Sequence, residues 1–347
     1  MRGTKLSGAR RAGALAAASL LALGLAACGN DGDGTSATAD SDSADVAATS
    51  DSTRTFEAQN GSIEIPAEPQ SIVACGYAVL PLIQAQANLS AVCEWTREID
   101  SMDEETRAAY DALPKIAPDG AAQSINYEAV AAAEPDLIIM GVPIRAKESL
   151  NMEALEALAP VVFLGPTTAS DWRELGEQQT DAAGVAQNYG PYKETYDARA
   201  AEIAEKYQAS LGSLKFAGVC DICGANAGEF VREYADSYTT NLFADLGADF
   251  PGQPDDDAIE HAEYASYERI PELLGDADVI VYAVQEDGTV TEELEELMNS
   301  DLWQSLPAVQ AGNLIPVRHG HAATYQTAVL ALDSIEETLE TLPAANN

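Results

Sequence analysis

The chain has 347 residues, with 57 Asp and Glu against 18 Lys and Arg, a formal net charge of −39. Four of those basic residues lie in the first 27 positions, which carry no acid, so the remainder sets 14 cations against 57 anions, a net charge of −43. Such a surface argues against nucleic acid, whose phosphates need a cationic footprint, and against lying flat on anionic lipid.

Arg2, Lys5, Arg10 and Arg11 form a positive region ahead of an apolar run of small residues and leucines, Ala12 to Ala27. The run ends in Leu25-Ala26-Ala27-Cys28. The pattern predicts an export signal over residues 1–27 rather than part of the fold. The last four residues resemble the lipobox of bacterial lipoproteins. That resemblance implies cleavage before Cys28 and acylation of its thiol (palmitate included), hence an anchor on the extracytoplasmic face of the cell membrane. Residues 28–53 are Asp, Ser, Thr, Ala and Gly with almost no large apolar side chain, and are read as a flexible acidic tether. No second apolar stretch reaches membrane-spanning length, so the body is expected to stand in water. At 46% apolar residues, the roughly 290 remaining positions suit two lobes better than one core.

Order begins near Arg54. Thr53–Ala58 and Ser62–Ile65 flank Asn60-Gly61, a pair that favours a tight hairpin turn. Strands and helices then alternate: strand Ser71–Cys75, helix Leu80–Ala87, strand Ala91–Cys93, helix Glu104–Ala112, helix Tyr127–Ala133, strand Leu137–Met140, helix Leu150–Leu158, strand Val161–Leu164. Alternation of this kind specifies a parallel sheet covered by helices. Asp171 to Ser213 has no strand signal; Tyr196, Ala200, Ile203, Ala204 and Tyr207 recur at helical spacing and predict one long helix there. A second set follows: strand Lys215–Val219, helix Tyr238–Leu246, strand Val279–Tyr282, helix Thr291–Met298, strand Leu314–Val317 and helix Thr324–Leu342. The expected fold class is α/β, with an N-terminal lobe over 54–170, a bridging helical segment over 171–213 and a C-terminal lobe over 214–347.

The segment order resembles the ABC-transporter solute-binding lipoproteins that carry ferric siderophores and vitamin B12, over essentially all of Phe56–Leu342. The markers are Gly61-Ser-Ile-Glu-Ile-Pro66 followed by Ile72-Val-Ala, Tyr127-Glu128 leading into Glu134-Pro-Asp-Leu-Ile-Ile139, Ala277-Asp-Val-Ile-Val281, and Leu302-Trp-Gln-Ser-Leu-Pro-Ala308 before Gly312. The resemblance implies two α/β lobes joined by one long helix, a ligand in the cleft between them, and no enzymatic activity. It also implies an ABC permease as partner, docked through one glutamate per lobe at the positions of Glu128 and Glu268. Asn126 and Ser266, just before them, are good helix N-caps, so an acid in the first turn facing the helix dipole is the plain alternative.

With Cys28 lipidated, Cys75, Cys93, Cys220 and Cys223 remain, an even number in an oxidising compartment. Three pairings are possible. Cys75 and Cys93 end what are expected to be neighbouring strands, and Cys220-Asp-Ile-Cys223 could close on itself; cross-lobe pairs would clamp the cleft. In α/β sheets ligands sit outside the carboxyl ends of strands, where Arg97, Arg145, Arg232 and Arg318 fall. Guanidinium groups suit anionic oxygen ligands. Tyr77, Trp95, Tyr234 and Tyr325 lie in the same loops and could cover flat ligand surfaces. His319-Gly320-His321 spaces two imidazoles two apart, but no third metal ligand is advertised, so the pair reads as polar loop residues near the cleft and no protein-bound metal is expected. The leading reading is a monomeric carrier of a ferric siderophore, with no cofactor of its own and iron present only inside the chelate. The alternatives are a corrinoid or heme carrier, a metal-ion-binding protein, or a CxxC redox protein. One outcome follows for the anchor: Cys28→Ser should move the protein from the membrane fraction to the soluble fraction, and a variant that still sediments with membranes would refute acylation at this site.

Overall fold

The computed structural model describes residues 52–97, 99–255 and 261–340. The export signal, Cys28 and nearly all of the tether lie outside them. The opening hairpin pairs β1 (Thr53–Ala58) with β2 (Gly61–Pro66), Ala58 opposite Gly61. The two-residue turn is therefore Gln59-Asn60, one position earlier than Asn60-Gly61. Both turn side chains have another task, which explains the shift. Asn60 accepts from the Phe163 amide at 2.9 Å and donates to the Val161 carbonyl, and Gln59 makes the same exchange with Gly165. They cover the edge of the neighbouring sheet, which would otherwise expose unpaired backbone.

That sheet contains β3 (Ile72–Gly76), β4 (Leu89–Cys93), β5 (Lys115–Ala117), β6 (Leu137–Gly141) and β7 (Val161–Phe163), all parallel, in the order β5-β4-β3-β6-β7. Its helices are α1 (Val79–Gln84), α2 (Glu104–Ala112), α3 (Tyr127–Ala132) and α4 (Met152–Glu156). Every residue of β6 is buried, as a parallel strand covered on both faces must be, and the run of apolar residues rather than an alternation is its signature. β5, three residues long, is a strand that the apolar pattern did not mark.

The bridging segment holds two helices, α5 (Trp172–Ala182) and the 26-residue α6 (Ala186–Leu211), separated at Gly184 with φ +74°. The long helix buries Tyr196, Ala200 and Ile203, the apolar stripe read from sequence. It is tied by Arg199–Asp333 (2.8 Å) and Lys206–Glu336 (2.7 Å) to the final helix of the chain.

The second sheet comprises β8 (Phe216–Val219), β9 (Glu229–Glu233), β10 (Ala262–Ser266), β11 (Val279–Val284) and β12 (Leu314–Arg318), in the order β10-β9-β8-β11-β12. β9 runs antiparallel to both neighbours; the other pairings are parallel. With it come α7 (Thr240–Asp245), α8 (Ile270–Leu274), α9 (Glu292–Met298), α10 (Asp301–Gln304), α11 (Pro307–Ala311) and α12 (Tyr325–Leu339). β9 and β10 were missed from sequence because Arg232, Glu233 and Glu263 interrupt the apolar pattern.

The two sheets share one strand order, and a small device repeats with it. Asp136 accepts from the amides of Gln70 and Ser71, while Asp278 accepts from that of Lys215. Each acid sits just before the fourth strand of its sheet and pins the entry to the first. Asn126 caps α3 by accepting from the Glu128 and Ala129 amides at 3.1 Å. Ser266 makes no such bond: it is the last residue of β10, and the chain passes through a short 3₁₀ turn, Tyr267–Arg269, before α8. Cys75–Cys93 and Cys220–Cys223 are the two disulfides; the first joins the ends of adjacent strands β3 and β4.

Candidate functional site

The carboxyl ends of the parallel strands in both sheets converge on one cleft. β3 stops at Gly76, where φ is +62° and any Cβ would strike the Gly141 carbonyl at the end of β6. This close crossing needs glycine and turns the next residue, Tyr77, outward; its amide donates to the Gly141 carbonyl at 2.9 Å. Trp95, after β4, lies behind it, with ring centroids 5.3 Å apart and nearly perpendicular. Trp95 is buried, and its amide donates to the Tyr110 hydroxyl.

Arg97, two residues on, is the centre of the arrangement. It donates to the Tyr77 hydroxyl, and its guanidinium carbon lies 5.4 Å from the Tyr77 ring centroid and 6.0 Å from that of Trp95. It also crosses to the second sheet, where it sits 4.9 Å from the ring of Tyr238, between β9 and α7. Arg97, Tyr238 and Ile222 divide the cleft in two. One chamber, about 530 Å³, is walled by Asp100, Ser101, Glu286, His319 and His321. The other, about 540 Å³, is walled by Tyr77, Arg145, Thr167, His261 and Tyr264.

The first chamber has a polar floor. His319, in the left-handed region at φ +57°, reverses the chain out of β12. Its Nδ1 is 2.7 Å from Ser101 Oγ across the cleft and its Nε2 is 3.0 Å from Glu286. Burial lowers the His319 pKa against the opposing pull of Glu286. His321 Nε2 is 2.7 Å from Asp221, whose side chain is 1% exposed. Beneath them lies Glu233 at the end of β9, fully buried, accepting from the Ser237 hydroxyl and the Thr239 amide. Burial pushes its carboxyl up to about 7; Asp221 pushes the same way and His321 opposes.

Of the residues picked from sequence, Tyr77, Arg97 and Arg145 line the cleft and Trp95 backs it. Arg232, Tyr234, Arg318 and Tyr325 are held elsewhere. Arg232 lies 4.6 Å over Tyr234 and donates to the Pro251 carbonyl. It alternates with Glu233 along β9, and it is the buried Glu233 that interacts with His321 and Asp221 behind the cleft. The buried Tyr234 donates to Glu263. Arg318 pairs with Glu337 of α12 at 2.7 Å. Tyr325 is packed among Trp172, Tyr189 and Tyr196, with its hydroxyl on Glu177. Tyr238, Ile222 and Tyr264, which no sequence pattern marks, also line the cleft, and His319 and His321 lie at it as expected. Tyr238 stands four residues after Tyr234. Among the described residues, no group of three or more His, Cys, Asp or Glu could hold a metal ion, and no helix is long and apolar enough to cross a membrane.

A family model described as "Periplasmic binding protein" matches residues 73–318. The siderophore periplasmic binding protein from the fuscachelin gene cluster of Thermobifida fusca is 32% identical, over 80% of this chain and 99% of that one, with a TM-score of 0.64. The Iron(3+)-hydroxamate-binding protein YxeB of Bacillus subtilis is 23% identical over 272 residues, 77% of this chain and 78% of its own. Staphylococcus aureus SirA, solved with staphyloferrin B, shares the fold at 20% identity and a TM-score of 0.63, over 83% and 99% of the two chains.

Glu233 provides a test of the floor that needs no ligand. A carboxyl whose value is raised on folding from its ordinary 4.5 to about 7 binds its proton more tightly in the native state. The stability it contributes is therefore present at low pH and lost as pH climbs through that window. Glu233→Gln should gain melting temperature relative to wild type from pH 4.5 to pH 7; a difference that does not change with pH would contradict the assignment.

Proposed function

As a member of the periplasmic binding protein family, the chain is a substrate-binding protein of an ABC transporter rather than an enzyme, and from that premise we propose that it captures a ferric siderophore outside the cell. The observation that carries the reading is the Arg97 guanidinium, which donates to the Tyr77 hydroxyl of one lobe and lies 4.9 Å from the ring centre of Tyr238 of the other, at the centre of the cleft. A guanidinium is planar, permanently charged and weakly hydrated, so it can rest on an aromatic face and still offer N–H groups to anionic oxygen. Arg145 adds a second cation at the rim. It makes no salt bridge among the described residues, whereas Arg107, Arg173, Arg199, Arg269 and Arg318 are all paired with acids. In so acidic a chain, two guanidinium groups facing one cleft favour a ligand rich in negative oxygen. The chelator holds the iron; the protein offers charge and aromatic surface. The relatives that bind iron(3+)-hydroxamate and staphyloferrin B support this ligand class.

The same reading places the protein on the membrane through acylated Cys28 and delivers the chelate to a permease through Glu128 and Glu268. Both glutamates are exposed, and neither makes a salt bridge among the described residues. Each lies on the connection out of the third strand of its sheet order, β5 or β10, which runs parallel to the first. That connection starts at the carboxyl edge, where the cleft opens.

Two outcomes follow. Titration of tryptophan fluorescence with ferrichrome, ferric desferrioxamine B, ferric enterobactin, heme and cobalamin should show saturable quenching by at least one ferric siderophore. Arg97→Ala should weaken it by roughly ten- to a hundredfold, the loss of one or two hydrogen bonds to a charged group. Quenching by heme or cobalamin alone would overturn the ligand class. For docking, the pair Glu128→Lys and Glu268→Lys should abolish cellular uptake while leaving chelate affinity intact; normal uptake would leave these glutamates as surface acids only.

A further inference from the structure

The segment between β8 and β9 carries the four residues Cys220-Asp221-Ile222-Cys223, closed by their own disulfide. Its two inner side chains face opposite ways. Asp221 points into the lobe and meets His321 at 2.7 Å, buried. Ile222 points out and lines both chambers of the cleft. It is 42% exposed, one of few large apolar side chains left open in the described residues. The loop is held from three further sides. Thr291 donates its hydroxyl to the Asp221 carbonyl at 3.2 Å, Tyr264 donates its hydroxyl to the Cys223 carbonyl at 2.8 Å, and Gly224 ends the loop in the left-handed region. Ile99 and Val284 line the first chamber and Pro143 and Pro166 the second, but Ile222 lines both; an aliphatic side chain this exposed would, with no occupant, stand against water.

We propose that Ile222 is a ligand-contacting, specificity-determining residue and that the Cys220–Cys223 bridge is the positioning element that aims it. The inference rests on the ferric-siderophore reading of the cleft. Ile222 and Arg97 both line the two chambers, so each meets a different side of a chelate that spans them: Arg97 the oxygen donors, and Ile222 the hydrocarbon linker that joins them. The bridge acts through two residues at once, since release of the loop frees Ile222 and removes Asp221 from beneath His321.

The test uses the mature full chain titrated with ferrichrome, ferric desferrioxamine B and ferric enterobactin. Ile222→Ala should weaken the chelate that wild type binds by roughly tenfold, as expected for losing a few buried methyl and methylene groups, while Ile222→Val stays close to wild type. Cys220→Ser/Cys223→Ser should lose at least as much. Adding Ile222→Ala to the cysteine variant should cost little more, because a loop without its bridge no longer aims that side chain. Wild-type affinity in Ile222→Ala would overturn the proposal, and full additivity of the two changes would overturn the positioning role of the bridge. Ile222→Ala keeps the disulfide, so the first result stands even if the cysteine variant fails to fold. If no ferric chelate binds wild type, it is the siderophore reading that fails, and the role given to Ile222 falls with it.

Discussion

The Arg97 guanidinium stands where the two halves of this protein meet. Arg97 leaves the first sheet beside Tyr77 and Trp95 and comes to rest 4.9 Å from the ring of Tyr238 in the second. In a chain of net charge −39, most arginines are drawn into carboxylate pairs at the surface, each worth little. Arg97 also lies among aromatic side chains, those of Tyr77, Trp95 and Tyr238, at the boundary of the two chambers. Two chambers of nearly equal size form around this contact, each lined by a different mixture of groups.

The scaffold around that contact is a duplicated solution to one problem. Loops must be delivered from the carboxyl ends of strands to a shared cleft. Both sheets do it with the same strand order, and both fix the entry to their first strand with the carboxylate that opens the fourth, Asp136 or Asp278. Packing of α6 on α12, with the aromatic cluster of Trp172, Tyr189, Tyr196 and Tyr325 at its upper end, keeps the long helix attached to the second half. Tyr325 is thus a core residue whose hydroxyl is satisfied by Glu177, as a buried phenol requires.

How much of this was legible in the sequence follows from what periodicity can and cannot record. Fully buried parallel strands such as β6, the stripe on α6 and the two-lobe alternation announced themselves. β5 was too short, and β9 and β10 carry acids and an arginine that point into polar clusters, so an apolar pattern could not find them. That gap moved the site reading as well. Without β9, nothing in the pattern tells which face Arg232 and Tyr234 take. Arg318 lay beside the right strand end but is held by Glu337 on α12; a one-residue reversal at His319, with its positive φ, gives the cleft to His319 and His321 instead. Sequence places a residue at a strand end; it does not say which neighbour claims the side chain. Arg97 was recoverable because its own surroundings, Tyr77 and Trp95, come from the adjacent strand ends.

A further cavity of about 370 Å³ lies away from the cleft, against α1, α2 and Tyr192 of α6, and is lined by Asp103 and Glu105 with no basic side chain. Its charge is wrong for an anionic chelate, so the two locations make opposite forecasts. Anomalous diffraction at the iron edge, from crystals grown with a ferric siderophore, separates them directly. The account predicts one iron peak between the two sheets, near the Arg97 guanidinium and coordinated by the chelator alone. An iron peak in the groove beside Tyr192, or one ligated by protein side chains, would contradict it.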